Sequence, residues 1–478
     1  MIHPTSNYAF SVVFVTAISL LPAARIHAET RQTRPNIVMI LSDDQTYTDF
    51  GFMGNERVHT PHLDQLARAS ARFTHGYVPA SVCRPSLVTL LTGLYPHQHG
   101  VHFNHPPPGF ATLLKSEEIG KAQFDAFRSA GAALIRTRPS LPRLLAESGY
   151  QCLQTGKFWE GHYRNAGFTH GMTTAQPSGG PNGDITLANG DVVAHGNGDH
   201  GLAIGRETMQ PIEDFLDETQ GQPFFVWYAP FLPHTPHDSP QRYRDLYNDR
   251  NDIAEHELPY FAAIAQFDDT VGQLVHSIEK RGLTDNTLFV FAVDNGWEPD
   301  VDRYIERRGE WDHTKKSKRA PFDAGLRTPI LFRWDGHTQA RTITRPVSSV
   351  EIVPTILTAA GIDIESLGLP ADGLLGEAIG EADGDPNEAV FGAIYPGDAS
   401  VIGDPGRDVA YRWVRKQQYK LIVPVKRNKK QPWNRYLDEP ALYDVVSDPA
   451  ETDNLIDRDE LFKTVTELQG LLDHWWKP

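Results

Sequence analysis

Short stretches of unbroken hydrophobicity, each stopping abruptly at polar residues, punctuate the chain. Ile37-Val38-Met39-Ile40-Leu41 ends in Ser42-Asp43-Asp44, and Leu288-Phe289-Val290-Phe291-Ala292-Val293 ends in Asp294-Asn295-Gly296. Phe224-Phe225-Val226-Trp227-Tyr228 leads past two prolines to His234, and a weaker run, Tyr150-Gln151-Cys152-Leu153, precedes Gly156-Lys157. Continuous rather than alternating apolarity is what a strand buried on both faces of a parallel sheet requires. Helical periodicity lies between the runs, at 60–71, 141–148, 206–219 and 264–281. Strands alternating with helices predict an α/β fold: a large wound, mostly parallel sheet flanked by helices, in which ligands gather at the carboxyl ends of the strands. All four polar clusters fall at that end.

The pattern changes past residue 380. Glu381-Ala382-Asp383-Gly384-Asp385-Pro386 gives way to shorter alternating runs at 389–395 and 411–425, then to helical periodicity at 459–476. These predict a smaller C-terminal antiparallel sheet closed by a helix, so the chain divides into an α/β domain over 33–380 and a subdomain over 381–478. Arg415, Lys416, Lys420, Lys426, Arg427, Lys429 and Lys430 make that tail locally basic, as a solvated face would be, with attraction of substrate sulfate the alternative.

The first residues have the character of an export leader, with an apolar run over 9–24 and the small Ala28 at a cleavage point, which makes 1–28 a signal peptide. The run is too short for a stable membrane anchor. The 478-residue chain has a formal charge of −16; cleavage after Ala28 removes Arg25 and no acid, leaving −17. An acidic exported protein, periplasmic or secreted, is a poor partner for nucleic acid. Two cysteines build no disulfide framework, so the fold rests on its core.

One of those cysteines, Cys83, sits in Val82-Cys83-Arg84-Pro85-Ser86-Leu87 and runs straight into Val88-Thr89-Leu90-Leu91. That places a thiol at the mouth of a helix, where backbone N–H groups and the dipole favour a tetrahedral anion; a buried apolar cysteine is the alternative. Asp43, Asp44, Asp294 and Asn295 bring three carboxylates and a carboxamide oxygen to one sheet edge. Like charges so close call for a cation, and hard oxygen ligands favour Ca²⁺ or Mg²⁺ over zinc. Taken singly, Asp43-Asp44 also reads as a helix cap and Asp294-Asn295-Gly296 as a turn.

With these landmarks the chain resembles the sulfatase family of the alkaline phosphatase superfamily. The ordered motifs are Arg34-Pro35-Asn36-Ile37 into Asp43-Asp44, Thr60-Pro61-His62-Leu63-Asp64, Cys83-Arg84-Pro85-Ser86, Leu91-Thr92-Gly93-Leu94-Tyr95-Pro96 and His99-Gly100. Gly156-Lys157, Pro233-His234-Thr235-Pro236, Asp294-Asn295-Gly296 and Asp323-Ala324-Gly325-Leu326-Arg327-Thr328-Pro329 follow. Tyr419-Lys420-Leu421-Ile422 and Leu442-Tyr443-Asp444 extend the likeness into the tail.

The resemblance implies a sulfuric ester hydrolase in which a maturation enzyme converts Cys83 to formylglycine. The hydrated aldehyde attacks sulfur, and its second hydroxyl then expels sulfate without attack by water. It implies one calcium ion held by Asp43, Asp44, Asp294 and Asn295 beside matured Cys83, charge neutralisation by Lys157 and Lys318, and protonation of the leaving alcohol by His234. Two departures stand out. Leu87 occupies the place of the motif's arginine, and Arg84 lies on a different side of the helix. Phe158-Trp159-Glu160 replaces the expected Trp-His after Lys157, with His162 nearby either as a substitute or as a surface histidine.

By family analogy the substrate is a sulfated carbohydrate. The segment between His102 and Ser140, with a helix expected over 121–134, lies between two family motifs as a specificity element or as padding. The glycine-rich stretch 179–201 and the charged stretch 298–318 are similar candidates. Trp159, Tyr163, Trp297 and Trp311 either stack on sugar rings or pack in the core. Two further functions remain open: hydrolysis of phosphodiesters or phosphonate monoesters on the same metal site, and non-catalytic binding of sulfated glycans if Cys83 stays a thiol.

Overall fold

Nine strands share one sheet in the computed structural model, which describes Met1 and residues 34–179, 183–196, 199–307, 309, 312–426 and 435–478. Apart from Met1 the predicted leader lies outside the described residues, as do Trp311, Arg427, Lys429 and Lys430. In chain order the strands are β1 (Asn36–Ser42), β2 (Ala71–Tyr77), β3 (Gln151–Gly156), β4 (His170–Gly171), β5 (Asp184–Thr186), β6 (Val192–Ala194), β7 (Phe224–Ala229) and β8 (Thr287–Val293). They continue with β9 (Arg327–Trp334), β10 (Arg341–Ile343), β11 (Val347–Ser348), β12 (Ala389–Ile394), β13 (Tyr411–Lys416), β14 (Tyr419–Pro424) and β15 (Ala441–Asp444).

The large sheet runs β10-β2-β9-β8-β1-β7-β3-β4, with β11 also on β2. The central β8-β1-β7-β3 block is parallel, and β9 alone runs against its neighbours β2 and β8. The carboxyl ends of β1, β2, β3, β7 and β8 therefore point the same way. A short hairpin, β5-β6, stands apart.

Alternation along β1 builds three layers. Ile37, Met39 and Leu41 enter one core with Leu87, Leu90, Leu141 and Ile356. Val38 and Ile40 enter a second core with Leu63, Phe215 and Phe267, on the other face. Every β1 residue is buried, as the continuous apolar run requires, and each large side chain covered on both sides contributes roughly 1.5–3 kcal/mol. The helix expected over 60–71 stops at Arg68, and Ala71 already begins β2; Ser70 turns its hydroxyl back to the Leu66 carbonyl at 2.7 Å and ends the helical run.

The C-terminal strands β12-β13-β14-β15 form an antiparallel sheet. The helix Phe462–Trp475 covers one face, placing Leu468 and Leu472 on Val414, Leu421 and Leu442. The opposite face sets Trp413 and Ile422 against Tyr77, Phe322 and Leu326 of the larger layer. The basic tail is not uniformly solvated: Arg415 and Lys420 are buried. Lys420 donates to Asp323 at 2.8 Å and Glu451 at 3.0 Å, and Arg415 bonds the Tyr77 hydroxyl. Buried partners distant in the chain, Asp323 and Tyr77 from the larger domain and Glu451 from beyond the basic run, are invisible to local composition and reverse the expected exposure.

Candidate active site

Strand ends deliver the site residues one by one. Asp43 and Asp44 follow β1, and Asp294 and Asn295 follow β8. Lys157 follows Gly156 at the end of β3, a position with φ +72° where a β-carbon would sit 1.9 Å from the Ala229 carbonyl oxygen. Only glycine lets β3 approach β7 that closely before releasing Lys157. Five residues past β7 comes His234. Cys83 opens the helix Cys83–Thr92, whose preceding residue Val82 is extended and offers no side-chain cap. Asn104 performs that office instead, its Oδ1 accepting the Arg84 N–H at 3.0 Å. Lys318 arrives on the loop before the short helix Asp323–Leu326.

These residues meet in one buried cluster. Lys157 Nζ lies 2.5 Å from Asp43 Oδ1 and 3.6 Å from Asp294 Oδ2. Lys318 Nζ spans both oxygens of Asp44, at 2.7 and 2.6 Å. His234 Nε2 stands 3.2 Å from Asp44 Oδ2, while its Nδ1 donates to the Thr235 carbonyl at 2.6 Å. That carbonyl fixes the proton on Nδ1 and leaves Nε2 as the nitrogen facing the cluster. Cys83 Sγ lies 4.0 Å from Asp44 Oδ1. Asp44 itself has φ 60°, a left-handed backbone that its N–H bond to Asp294 Oδ1 at 3.0 Å helps to hold.

Electrostatics set the members apart. Burial pushes Asp43 well above the usual carboxylate range and raises Asp294, with Lys157 opposing both. Asp44 is held below that range by Lys318 and His234, although burial works the other way. Burial pushes the Cys83 thiol up to about 12 and His234 well below its ordinary value. Counted as fully ionised, three carboxylates against two ammoniums give the cluster a formal charge of minus one, the wrong sign for an anionic ester.

A divalent cation fits this donor set. Asp43 Oδ2, Asp294 Oδ2 and Asn295 Oδ1 are buried oxygens without a hydrogen-bond partner, and Asp43, Cys83 and Asp294 bring ligand atoms within 4.8 Å of one another. Orphaned hard oxygens are costly unless something positive occupies the space between them. One such ion would also turn the cluster's net charge positive.

The departures from the family pattern have structural counterparts. Leu87 is buried in the main core beside Val88 and Leu90, leaving no room for a charged side chain there. Arg84 turns instead to Glu160, with bonds of 2.7 and 2.8 Å. Trp159 is buried and meets the rings of His105 and His195 edge-on at 5.4 and 5.3 Å. His162 accepts from the Arg164 N–H at 3.2 Å and packs on Tyr163; neither contact touches the cluster. Trp297 is buried against Tyr260 and His237, a core position. Sequence reasoning missed Asn104 and Glu160. A buried-type arginine just after Cys83 was the available signal that an acid must lie nearby.

A family model described as Sulfatase matches residues 35–362. Arylsulfatase A of Homo sapiens is 28% identical over 440 residues, covering 88% of this chain and 83% of its own length. The ulvan-active sulfatase of Formosa agariphila is 27% identical over 477 residues, covering 94% and 82%. A solved structure in complex with its substrate D-glucosamine-2-N,6-O-disulfate superposes with a TM-score of 0.67 at 19% identity, covering 92% of this chain and 97% of that one, a likeness of fold. Sheet and strand-end cluster together define a hydrolase of the alkaline phosphatase superfamily. The chain belongs to the sulfatase family, whose members are sulfuric ester hydrolases that generally use a metal and a formylglycine.

Proposed function

We propose that the protein is an exported, calcium-dependent sulfatase that removes sulfate from a carbohydrate. The observation that carries the reading is the convergence of Cys83, Lys157, Lys318 and His234 on Asp43, Asp44 and Asp294 at one end of the sheet. Asp43, Asp44, Asp294 and Asn295 would hold the ion, which when bound supplies positive charge against sulfate oxygens. Formylglycine at position 83, once hydrated, supplies the nucleophile and the second hydroxyl that frees sulfate.

The chain's own groups do the rest. Lys157 and Lys318 neutralise charge on the sulfuryl oxygens, and their fixed bonds to Asp43 and Asp44 mean that little reorganisation is needed. His234 Nε2 is the nitrogen that faces the leaving alcohol, because Nδ1 is committed to Thr235, and it would deliver a proton there as the imidazolium paired with Asp44. A carbohydrate substrate is supported by the likeness to the ulvan-active sulfatase of Formosa agariphila. Catalysis is assigned to 33–380, support to 381–478, and export to the leader over 1–28.

The test has two readouts on protein from its native host. Turnover of 4-nitrophenyl sulfate should exceed turnover of bis(4-nitrophenyl) phosphate, and mass spectrometry of the peptide bearing position 83 should find the aldehyde. A preference for the diester would move the protein to the phosphodiesterase reading. An intact thiol throughout, with no turnover, would leave a glycan-binding homologue.

A further inference from the structure

Arg319, the residue after Lys318, is held at two costs at once. Its backbone has φ 67°, in the left-handed region that favours glycine, and its N–H is tied to the Ser81 carbonyl at 2.7 Å. Its side chain forms no hydrogen bond or ion pair among the described residues, and its Nε is buried without a partner. Arg319 is half-buried, and backbone strain of this kind persists only where the surrounding structure enforces it, clustering at active sites and ligand clamps.

The surroundings explain what such a cation faces. Arg319 lies over Gly397, where a β-carbon would come within 2.9 Å of Nη2. The Gly397 carbonyl in turn accepts the N–H groups of Asn104 and His105, at 2.8 and 3.2 Å. His105 packs its ring with His195 and with Trp159, which lies two residues past Lys157. Burial and then the positive charges of His195, Arg84 and Arg319 push the His105 imidazole down to about 2. Of the neighbouring arginines, Arg84 is satisfied by Glu160, and Arg128 bonds the Ala194 carbonyl. Arg319, next in the chain to Lys318, is the one of the three whose side chain has no hydrogen-bond partner among the described residues. Asp398 is near enough to feel its charge, yet is not within ion-pair distance and gives its carboxylate to the Phe110 N–H at 3.2 Å.

Building on the sulfatase reading, we propose that Arg319 determines specificity by binding a second oxyanion of the substrate, a further sulfate or a uronate carboxylate, while the scissile sulfate occupies the Lys157–Lys318 cluster. A guanidinium fork matches either group through two parallel bonds, which an ammonium does not. The predicted substrate is therefore a sugar bearing two anions, not a simple sulfate ester.

Calorimetry on the calcium-loaded mature chain tests this, with Cys83→Ala as the background so that probes bind without turnover. The probes are inorganic sulfate, glucosamine N,6-disulfate and 2-O-sulfated glucuronic acid. Arg319→Gly relaxes the strained backbone and is expected to fold. It should weaken the disulfated or the carboxylated probe about tenfold relative to inorganic sulfate, and the probe affected identifies the oxyanion. Arg319→Lys should fall in between. Equal weakening of all three probes, or no change in any, overturns the proposal. Absence of sulfate-ester turnover in the unsubstituted enzyme, by contrast, would strike the sulfatase reading and leave this binding result standing.

Discussion

Arg84 and Glu160 form a doubly bonded ion pair with both side chains almost sealed from solvent, at 3% and 1% exposure. The pair joins the residue after Cys83 to the loop that carries Lys157, so two departures from the family pattern are physically one feature. Breaking a buried pair from one side strands a charge and costs about 3–5 kcal/mol, whereas replacing both partners with apolar side chains is often neutral. Glu160→Gln should therefore lower the urea midpoint sharply, and Arg84→Met with Glu160→Leu should recover most of the loss. A double variant whose losses simply add would show that the two side chains do not act as a pair.

Asp294 supplies one orphaned oxygen and, through Oδ1, the bonds that hold the N–H groups of Asp44 and Asn295, at 3.0 and 2.6 Å. Calcium at about 100 times its dissociation constant should stabilise the protein by about 2.7 kcal/mol. Asp294→Ala should abolish both that increment and sulfate-ester turnover. Chelation should silence the unsubstituted enzyme, and added calcium should restore it. A calcium-induced stabilisation that survives in Asp294→Ala would remove this residue from the ligand set.

Much of this architecture was legible because each strand feeding the site is buried on both faces and so is written as an unbroken apolar run. β1, β7 and β8 announce themselves that way, β3 more weakly because Gln151, Gln154 and Thr155 interrupt it, and the polar residues at their ends mark the site. β9 and β2 were harder. Pro329 interrupts one, and three of the seven residues of the other are only partly buried, so neither presents a clean period. Lys318 was placed by spacing from Asp323-Ala324-Gly325, and the structure puts its ammonium on Asp44.

What local sequence could not carry was long-range pairing. Glu160 looks like an ordinary loop acid until Arg84, far away in the chain, arrives beside it. Arg319 reads as one more charge in a basic stretch, and only its φ angle and its buried, unpartnered Nε set it apart. The same blindness made Arg415 and Lys420 look solvated, since burial of a cation depends on partners supplied by other elements.

Lys420 donates to Asp323 and Glu451 at full burial and thereby ties the C-terminal sheet to the segment leading into β9. Burial, opposed by Lys420, lifts the Glu451 carboxyl to about 7 from 4.5. A raised carboxyl favours the fold while protonated, so its contribution is complete below about 4.5 and is lost as the pH rises through about 7. Lys420→Met removes the ammonium that opposes the lift, which pushes the carboxyl higher still and leaves two buried acids uncompensated. The variant should lose about 3–5 kcal/mol at pH 8 and regain part of it on acidification to pH 6, a gain larger than the unsubstituted protein shows over the same interval. Urea unfolding at the two pH values measures both effects. A loss that is the same at pH 8 and pH 6 would mean that Lys420 stabilises the fold through packing alone.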